Sequence, residues 1–167
     1  SAEMKLMASF TGFDIANTGG SGATWRIYEG NTTPWLMWWL KPLTVTANSD
    51  SKTYSGAPYS GGNGVTYSVA SPNPALSGTL AYGGTSQSAV NAGSYTIGAS
   101  GLYSIQQGYD ISYATGTLTI NKAHLTIMAD NKSRLYGEAN PPLSTTVSGF
   151  VNGETAGTAA GFTGAGS

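Results

Sequence analysis

A self-similarity at a fixed offset constrains this chain more than any single residue does. Leu43-Thr-Val-Thr-Ala47 is matched by Leu125-Thr-Ile-Met-Ala129, and Lys52-Thr53-Tyr54 by Arg134-Leu135-Tyr136, each pair 82 positions apart. Ser55-Gly56-Ala57-Pro58 follows the first tyrosine and Gly137-Glu138-Ala139-Asn140-Pro141 the second. An apolar opening, a basic residue, a tyrosine, a glycine and a proline therefore recur in order, which marks a repeated structural unit. The first copy runs from 43 to 120. The second, 125–167, has no counterpart of Gly93-Ser-Tyr-Thr-Ile97, Gly108-Tyr-Asp-Ile-Ser-Tyr113 or Gly116-Thr-Leu-Thr-Ile120. Half a β unit leaves strand edges unpaired. The expectation is that the missing strands follow Ser167, with donation by another chain or region as the alternative.

Inside a unit the apolar period is two. Leu43, Val45 and Ala47 alternate with threonines, as Tyr95 and Ile97 do with Ser and Thr. Tyr109, Ile111 and Tyr113 alternate with Asp110 and Ser112, and Leu118 and Ile120 repeat the scheme. This is the pattern of half-buried strands with hydroxyls turned outward, and it reads Asp110 as solvent-facing. Gly61-Gly62-Asn63-Gly64, Pro72-Asn73-Pro74, Gly83-Gly84, Asn91-Ala92-Gly93 and Asn152-Gly153 supply turns. No twelve-residue window carries a 3.6 period. The predicted class is all-β, with very little helix: small antiparallel domains, sandwich or grasp-like, in tandem.

Between the copies, residues 121–124 (Asn121-Lys-Ala-His124) shift the apolar parity from even to odd and read as a short joint. Residues 1–42 differ from the rest. They hold all four tryptophans and read as three short strands around Ile15, Trp25 and Trp35. A piece so small cannot bury enough surface alone, and its expected packing partner lies upstream.

Composition excludes several kinds of chemistry. Charged residues are 9% of the chain, the net charge is −1, and there are no cysteines and one histidine, His124. That leaves no basic footprint for nucleic acid, no thiolate or multi-His metal site and scattered single acids in place of a catalytic pair. The longest apolar run, Trp35 to Leu40, is far short of the ~20 residues that span a bilayer. No enzyme, no cofactor, no metal and no membrane insertion by this segment are expected. Asp14, Asp50 and Asp130 lack calcium-loop spacing.

The residues also carry a resemblance. Lys52-Thr-Tyr54, Tyr59-Ser-Gly-Gly-Asn-Gly-Val-Thr-Tyr67, Leu76-Ser-Gly-Thr-Leu80, Ala92-Gly-Ser-Tyr-Thr-Ile97 and Gly116-Thr-Leu-Thr-Ile120 resemble the MBG ("mostly beta, glycine-rich") domain of filamentous-haemagglutinin-like adhesins secreted by the two-partner route. Tyr136-Gly137, Asn140-Pro141 and Ser148-Gly-Phe-Val-Asn-Gly-Glu154 resemble the opening of a sister module. Phe10-x-Gly-Phe-Asp-Ile15, Trp25-x-Ile-x-x-Gly30 and Pro34-x-Leu36 are similar to the segment closing a run of GLUG-type repeats. Where relatives carry a Gly-Phe-x-Asn-Gly-Glu stretch, the first unit reads Ser68 to Ala75 instead.

The resemblance implies a bacterial cell-surface protein, extracellular and outer-membrane-associated, in which such modules form stalks that extend a binding tip and mediate adhesion or aggregation. The expected layout is a Trp-rich closing segment (1–42), a complete MBG-type domain (43–120), a joint (121–124) and half of a second domain (125–167). Two alternatives stand beside the stalk. One is a module binding host or matrix glycans or proteins through exposed aromatics, with Trp35, Trp38 and Trp39 as ligand-binding candidates against a packing role. The other is a filament subunit that completes its half-domain by homotypic strand pairing with a neighbouring chain. The tyrosines at repeat positions, Tyr54, Tyr67, Tyr95, Tyr109, Tyr113 and Tyr136, are expected in the core and in strand pairs.

Overall fold

The computed structural model describes residues 1–70, 76–105, 108–159 and 162–163. The turn expected at Pro72-Asn73-Pro74 lies outside them. Among the described residues the first forty contribute β1 (Ile15–Ala16), β2 (Trp25–Arg26) and β3 (Trp35–Leu36). The central unit contains β4 (Lys41–Ala47), β5 (Asp50–Thr53), β6 (Val65–Tyr67), β7 (Leu76–Gly83), β8 (Gly93–Ser104), β9 (Tyr109–Ala114) and β10 (Gly116–Asn121). The second unit contains β11 (Thr126–Ala129) and β12 (Thr145–Ser148). Among the described residues helix is confined to three-residue 3-10 turns at Glu3–Lys5, Met7–Ser9 and Met37–Trp39. The all-β class read from the sequence is the one observed.

Alternation becomes burial directly. Along β10 buried and exposed residues alternate without a break, and β4 buries Leu43, Val45 and Ala47. The pairing is less simple than antiparallel domains. β4 runs parallel to β9 from Lys41–Tyr109 to Thr46–Ala114, and β5 runs parallel to β10 from Asp50–Leu118 to Thr53–Asn121. The register of 68 positions is the same in both ladders and across the interval between them. Two lengths of chain thus lie side by side as one parallel ribbon. A parallel pair needs a crossover of a dozen or more residues, and the stretch from Tyr54 to Gly108 supplies it.

The ribbon's two halves belong to different sheets, β6-β4-β9 and β5-β10-β8-β7. Strand β8 links them. Its first half pairs antiparallel with β10 through Gly93–Ile97, and its second pairs with β7 through Gly98–Ser104. Tyr113 on β9 reaches back to β8, its hydroxyl accepting from Leu102 N at 2.9 Å. The interior follows the same division. Ala47, Ala89, Ile97, Leu118 and Ile120 form one cluster, flanked by Tyr54, Tyr59, Tyr82 and Tyr95. Leu43, Val45, Ile111 and Tyr28 form the other, with Tyr67, Tyr109, Leu76 and Leu102 against it. Four of the repeat tyrosines (54, 67, 95 and 109) therefore line the core, as expected.

Tyr28 in that second cluster comes from outside the central unit. The first forty residues fold as the small sheet β1-β2-β3, and they pack on the downstream unit. Ile27 and Leu40 are buried there with Tyr28. The reason is an available surface: β9 is the edge of its sheet, with a face and a row of backbone groups to be covered.

Candidate functional site

The covering of β9 is the most heavily bonded contact between segments. Arg26 Nε donates to Asp110 Oδ1 at 3.0 Å, with both side chains almost fully shielded from solvent (3% and 10% exposed). Gly20 N donates to the other carboxylate oxygen at 2.7 Å. Arg26 Nη1 donates to the carbonyls of Ala16 and Ile27, and its guanidinium lies over the Tyr28 ring at 4.1 Å, a cation–π contact. Gly19 is pressed so close that a Cβ there would sit 2.0 Å from Ile111 O, so no other residue fits. Asp110 is thus not solvent-facing, as its strand parity implied. Parity placed it correctly on the outer face of β9, but that face is covered.

Tyr28 closes the free edge itself. Its hydroxyl donates to Tyr109 O at 2.5 Å and accepts from Ile111 N at 3.0 Å, replacing the neighbour strand that β9 lacks. Burial, the largest cause, pushes the Tyr28 hydroxyl up to about 12 from an ordinary 10.0. A raised folded-state value means the folded chain holds this proton more tightly than the unfolded one. The stability it contributes is fully present below pH 10 and is lost as pH rises toward 12. High pH should therefore weaken the docking of residues 1–40, as it should the central unit around Tyr59, which burial likewise pushes up to about 12. Tyr28→Phe is expected to remove the Tyr28 part of this pH dependence while costing about 1–3 kcal/mol at neutral pH, because Ile111 N–H and Tyr109 C=O lose their partner. Denaturant unfolding at pH 8 and 11 checks both statements.

The tryptophan candidates lie in the same segment, Trp35 directly opposite Arg26 in the β2–β3 pair. Trp38 and Trp39 are not on a strand with alternating faces; they lie on the 3-10 turn Met37–Trp39. Both are exposed, Trp38 at 84% and Trp39 at 51%, while Trp35 on β3 is half-buried. Trp38 thus makes little packing contact among the described residues.

The acids remain dispersed. Asp14 accepts from Thr24 N and Oγ1, both at 2.8 Å, and these bonds hold its carboxyl below the usual range. Asp50 accepts from the Tyr59 hydroxyl at 2.9 Å. Asp130 accepts from Ser144 Oγ at 2.5 Å and Thr146 Oγ1 at 2.7 Å. Among the described residues no three His, Cys, Asp or Glu side chains gather as metal ligands would. Nor is any helix long and apolar enough to cross a membrane.

In the second unit, β11 pairs antiparallel with β12, Ile127 opposite Val147 and Ala129 opposite Thr145. This matches the antiparallel β4–β6 pair, where Val45 faces Tyr67 and Ala47 faces Val65, with a connection two residues shorter. The resemblance stops at burial. All four β11 residues are exposed, with Ile127 at 60% and Met128 at 64%, whereas Val45, at the repeat position of Ile127, is wholly buried.

Residues 125–167 match the family model for the MBG domain (YGX type). No curated protein and no solved structure matches the chain.

The MBG-type segment contains Tyr136-Gly137 where the first unit has Tyr54-Ser55. Tyr136 is fully exposed, contrary to the core role expected of it, and Tyr54 shows why. The Tyr54 hydroxyl donates to the Glu154 carboxylate of the MBG-type segment, and this bond, with burial second, raises its pKa. Beside it, Gly56 lies so close to Asn152 that a Cβ would be 2.2 Å from the Asn152 Cγ. Asn152 and Gly153 both have positive φ, turning the Phe-Val-Asn-Gly-Glu loop against the end of the central unit. Tyr54 is covered by the unit that follows it, and nothing described here stands in that place for Tyr136. Around the contact is a cavity of about 430 Å³ lined by Tyr54, Lys122, Leu125, Phe150, Glu154 and Phe162 among others. The sequence singled out neither Arg26 nor the Tyr54–Glu154 pair, although Glu154 falls inside a stretch it did mark as a motif.

Proposed function

We propose that the chain is a stretch of the stalk of a bacterial cell-surface adhesin. Its contribution is reach: β modules joined end to end hold a binding tip away from the cell. The observation that carries this reading is the placement of the central unit's two ends. The chain comes in at Lys41, beside Gly108, and leaves at Asn121, beside Tyr54, at opposite ends of the parallel ribbon. Each end is capped by a different neighbour, the first through Arg26–Asp110 and Tyr28 and the second through Tyr54–Glu154. The MBG-type match over 125–167 supports the reading, since that family occurs in repeat-containing extracellular proteins. Two-partner secretion and a GLUG-type closing role for residues 1–42 are finer parts of the same proposal and rest on the sequence resemblance.

Small-angle X-ray scattering tests the arrangement. A compact chain of this length has a radius of gyration of about 15 Å. A stalk segment should exceed that clearly, with a distance distribution tailing along one axis. A symmetric distribution at the compact value would overturn the reading.

A second reading has its own observation, the exposed Trp38 and Trp39. Aromatic faces of this kind stack on sugar rings, and a glycan array comparing the chain with Trp38→Ala and Trp39→Ala variants separates the two readings. Tryptophan-dependent binding would make the segment a binding module.

A further inference from the structure

We infer that the central unit is a tensile clamp, built so that a pull along the chain loads its parallel ribbon in shear. The inference deepens the stalk reading, on which its biological use rests; the clamp itself rests on strand order. Force applied through the chain reaches the unit at Lys41, the start of β4, and leaves it at Asn121, the end of β10. These two lengths of chain are bonded directly to one another and run in the same direction, with six residue pairs between β4 and β9 and four between β5 and β10. Pulling the start of one and the end of the other in opposite directions slides the strands lengthwise. Every rung of both ladders then resists together. Had the two been antiparallel, their loaded ends would lie at the same end of the pair and the rungs would open one after another.

Side chains and interior add to the same plane. Thr44 Oγ1 and Ser112 Oγ lie 3.2 Å apart across the ribbon, and Thr117 N donates to Ser49 Oγ at 3.1 Å, bridging the interval between the two ladders. Sliding also tears both apolar clusters, because Leu43 and Val45 pack with Ile111, and Ala47 packs with Leu118 and Ile120. The bend between β4 and β5 is matched by one between β9 and β10, so the register survives it.

The first forty residues add an earlier event. They are bonded to β9 through Arg26 and Tyr28, off the shear plane, and should detach at lower force before the ribbon is stretched.

Single-molecule pulling on the whole chain tests the clamp. The sequence has no cysteine, so handles can be placed at will. One variant carries Ser1→Cys and Ser167→Cys and loads the ribbon lengthwise. The other carries Ser1→Cys and Ile105→Cys; Ile105 is an exposed residue shortly before β9, so this pull peels the ribbon from one end. Thermal midpoints must agree between the two variants, confirming that the handles left the fold intact. The end-to-end pull should give a dominant event releasing residues 41–121, about 270–290 Å of extended chain before subtracting the folded span. Its force should be several-fold higher than the force for peeling. Equal forces in the two geometries would overturn the clamp, and would leave an elongated scattering profile, and with it the stalk reading, untouched.

Discussion

Replacing Arg26 with Met should cost about 3–5 kcal/mol, the penalty for leaving a buried carboxylate without its partner. Asp110 would keep one hydrogen bond, from Gly20 N, but no compensating charge among the residues that touch it. The molecule has one way to limit the damage. If residues 1–40 lift away, water reaches the outer face of β9 and Asp110 is solvated again, so the penalty cannot exceed the free energy that docks the segment. The loss should therefore appear as faster protease cleavage within residues 1–40, together with a lower denaturation midpoint. Pairing Arg26→Met with Asp110→Leu should restore most of the stability, because a buried ion pair often equals an apolar pair of similar volume. Unchanged cleavage and a midpoint shift below about 0.5 kcal/mol, the range of an ordinary surface substitution, would show that the pair does not anchor the segment.

The second large effect compares repeat positions. Leu43 is 1% exposed between β9 and the second half of β8, and Leu43→Ala should cost about 2–5 kcal/mol, the range for emptying a core leucine site. Ile127 stands where Val45 stands in the first unit, yet it is 60% exposed. Ile127→Ala should fall within about 0.5 kcal/mol. Amide exchange should follow the same division, with slow amides in β4, β9 and β10 and fast ones in β11 and β12. Should the two substitutions cost the same, the hairpin of the second unit would have to be packed in solution against something.

These expectations also show what the sequence made legible. Alternation of apolar residues with Thr and Ser placed β4, β8, β9 and β10 correctly, and the burial along β10 is the pattern a period of two demands. The 82-position offset located β11, which pairs antiparallel with the strand that follows it as β4 does with β6, two residues closer in register. Strand direction was not legible, since parallel and antiparallel neighbours share that period; only the long crossover from Tyr54 to Gly108 hints at parallel pairing. The burial of Asp110 was hidden for a related reason. Parity tells which face a side chain occupies, not whether another segment covers it. The exposure of Trp38 and Trp39 was not legible either, because a run of aromatic residues does not announce the single 3-10 turn that the backbone makes there. Arg26 gave no signal of its own, being one basic residue between Trp25 and Ile27.

The joint between the units has a consequence for how such a protein changes over time. Its two halves are a tyrosine following the first hairpin strand and a Phe-Val-Asn-Gly-Glu loop, and the MBG-type segment carries both, Tyr136 exposed and Glu154 engaged. The central unit carries only the tyrosine, reading Ser68 to Ala75 where the loop would stand, and its upstream joint is built instead from Arg26, Tyr28 and Asp110. A duplicated MBG-type segment would carry the chemistry of the second joint and not that of the first.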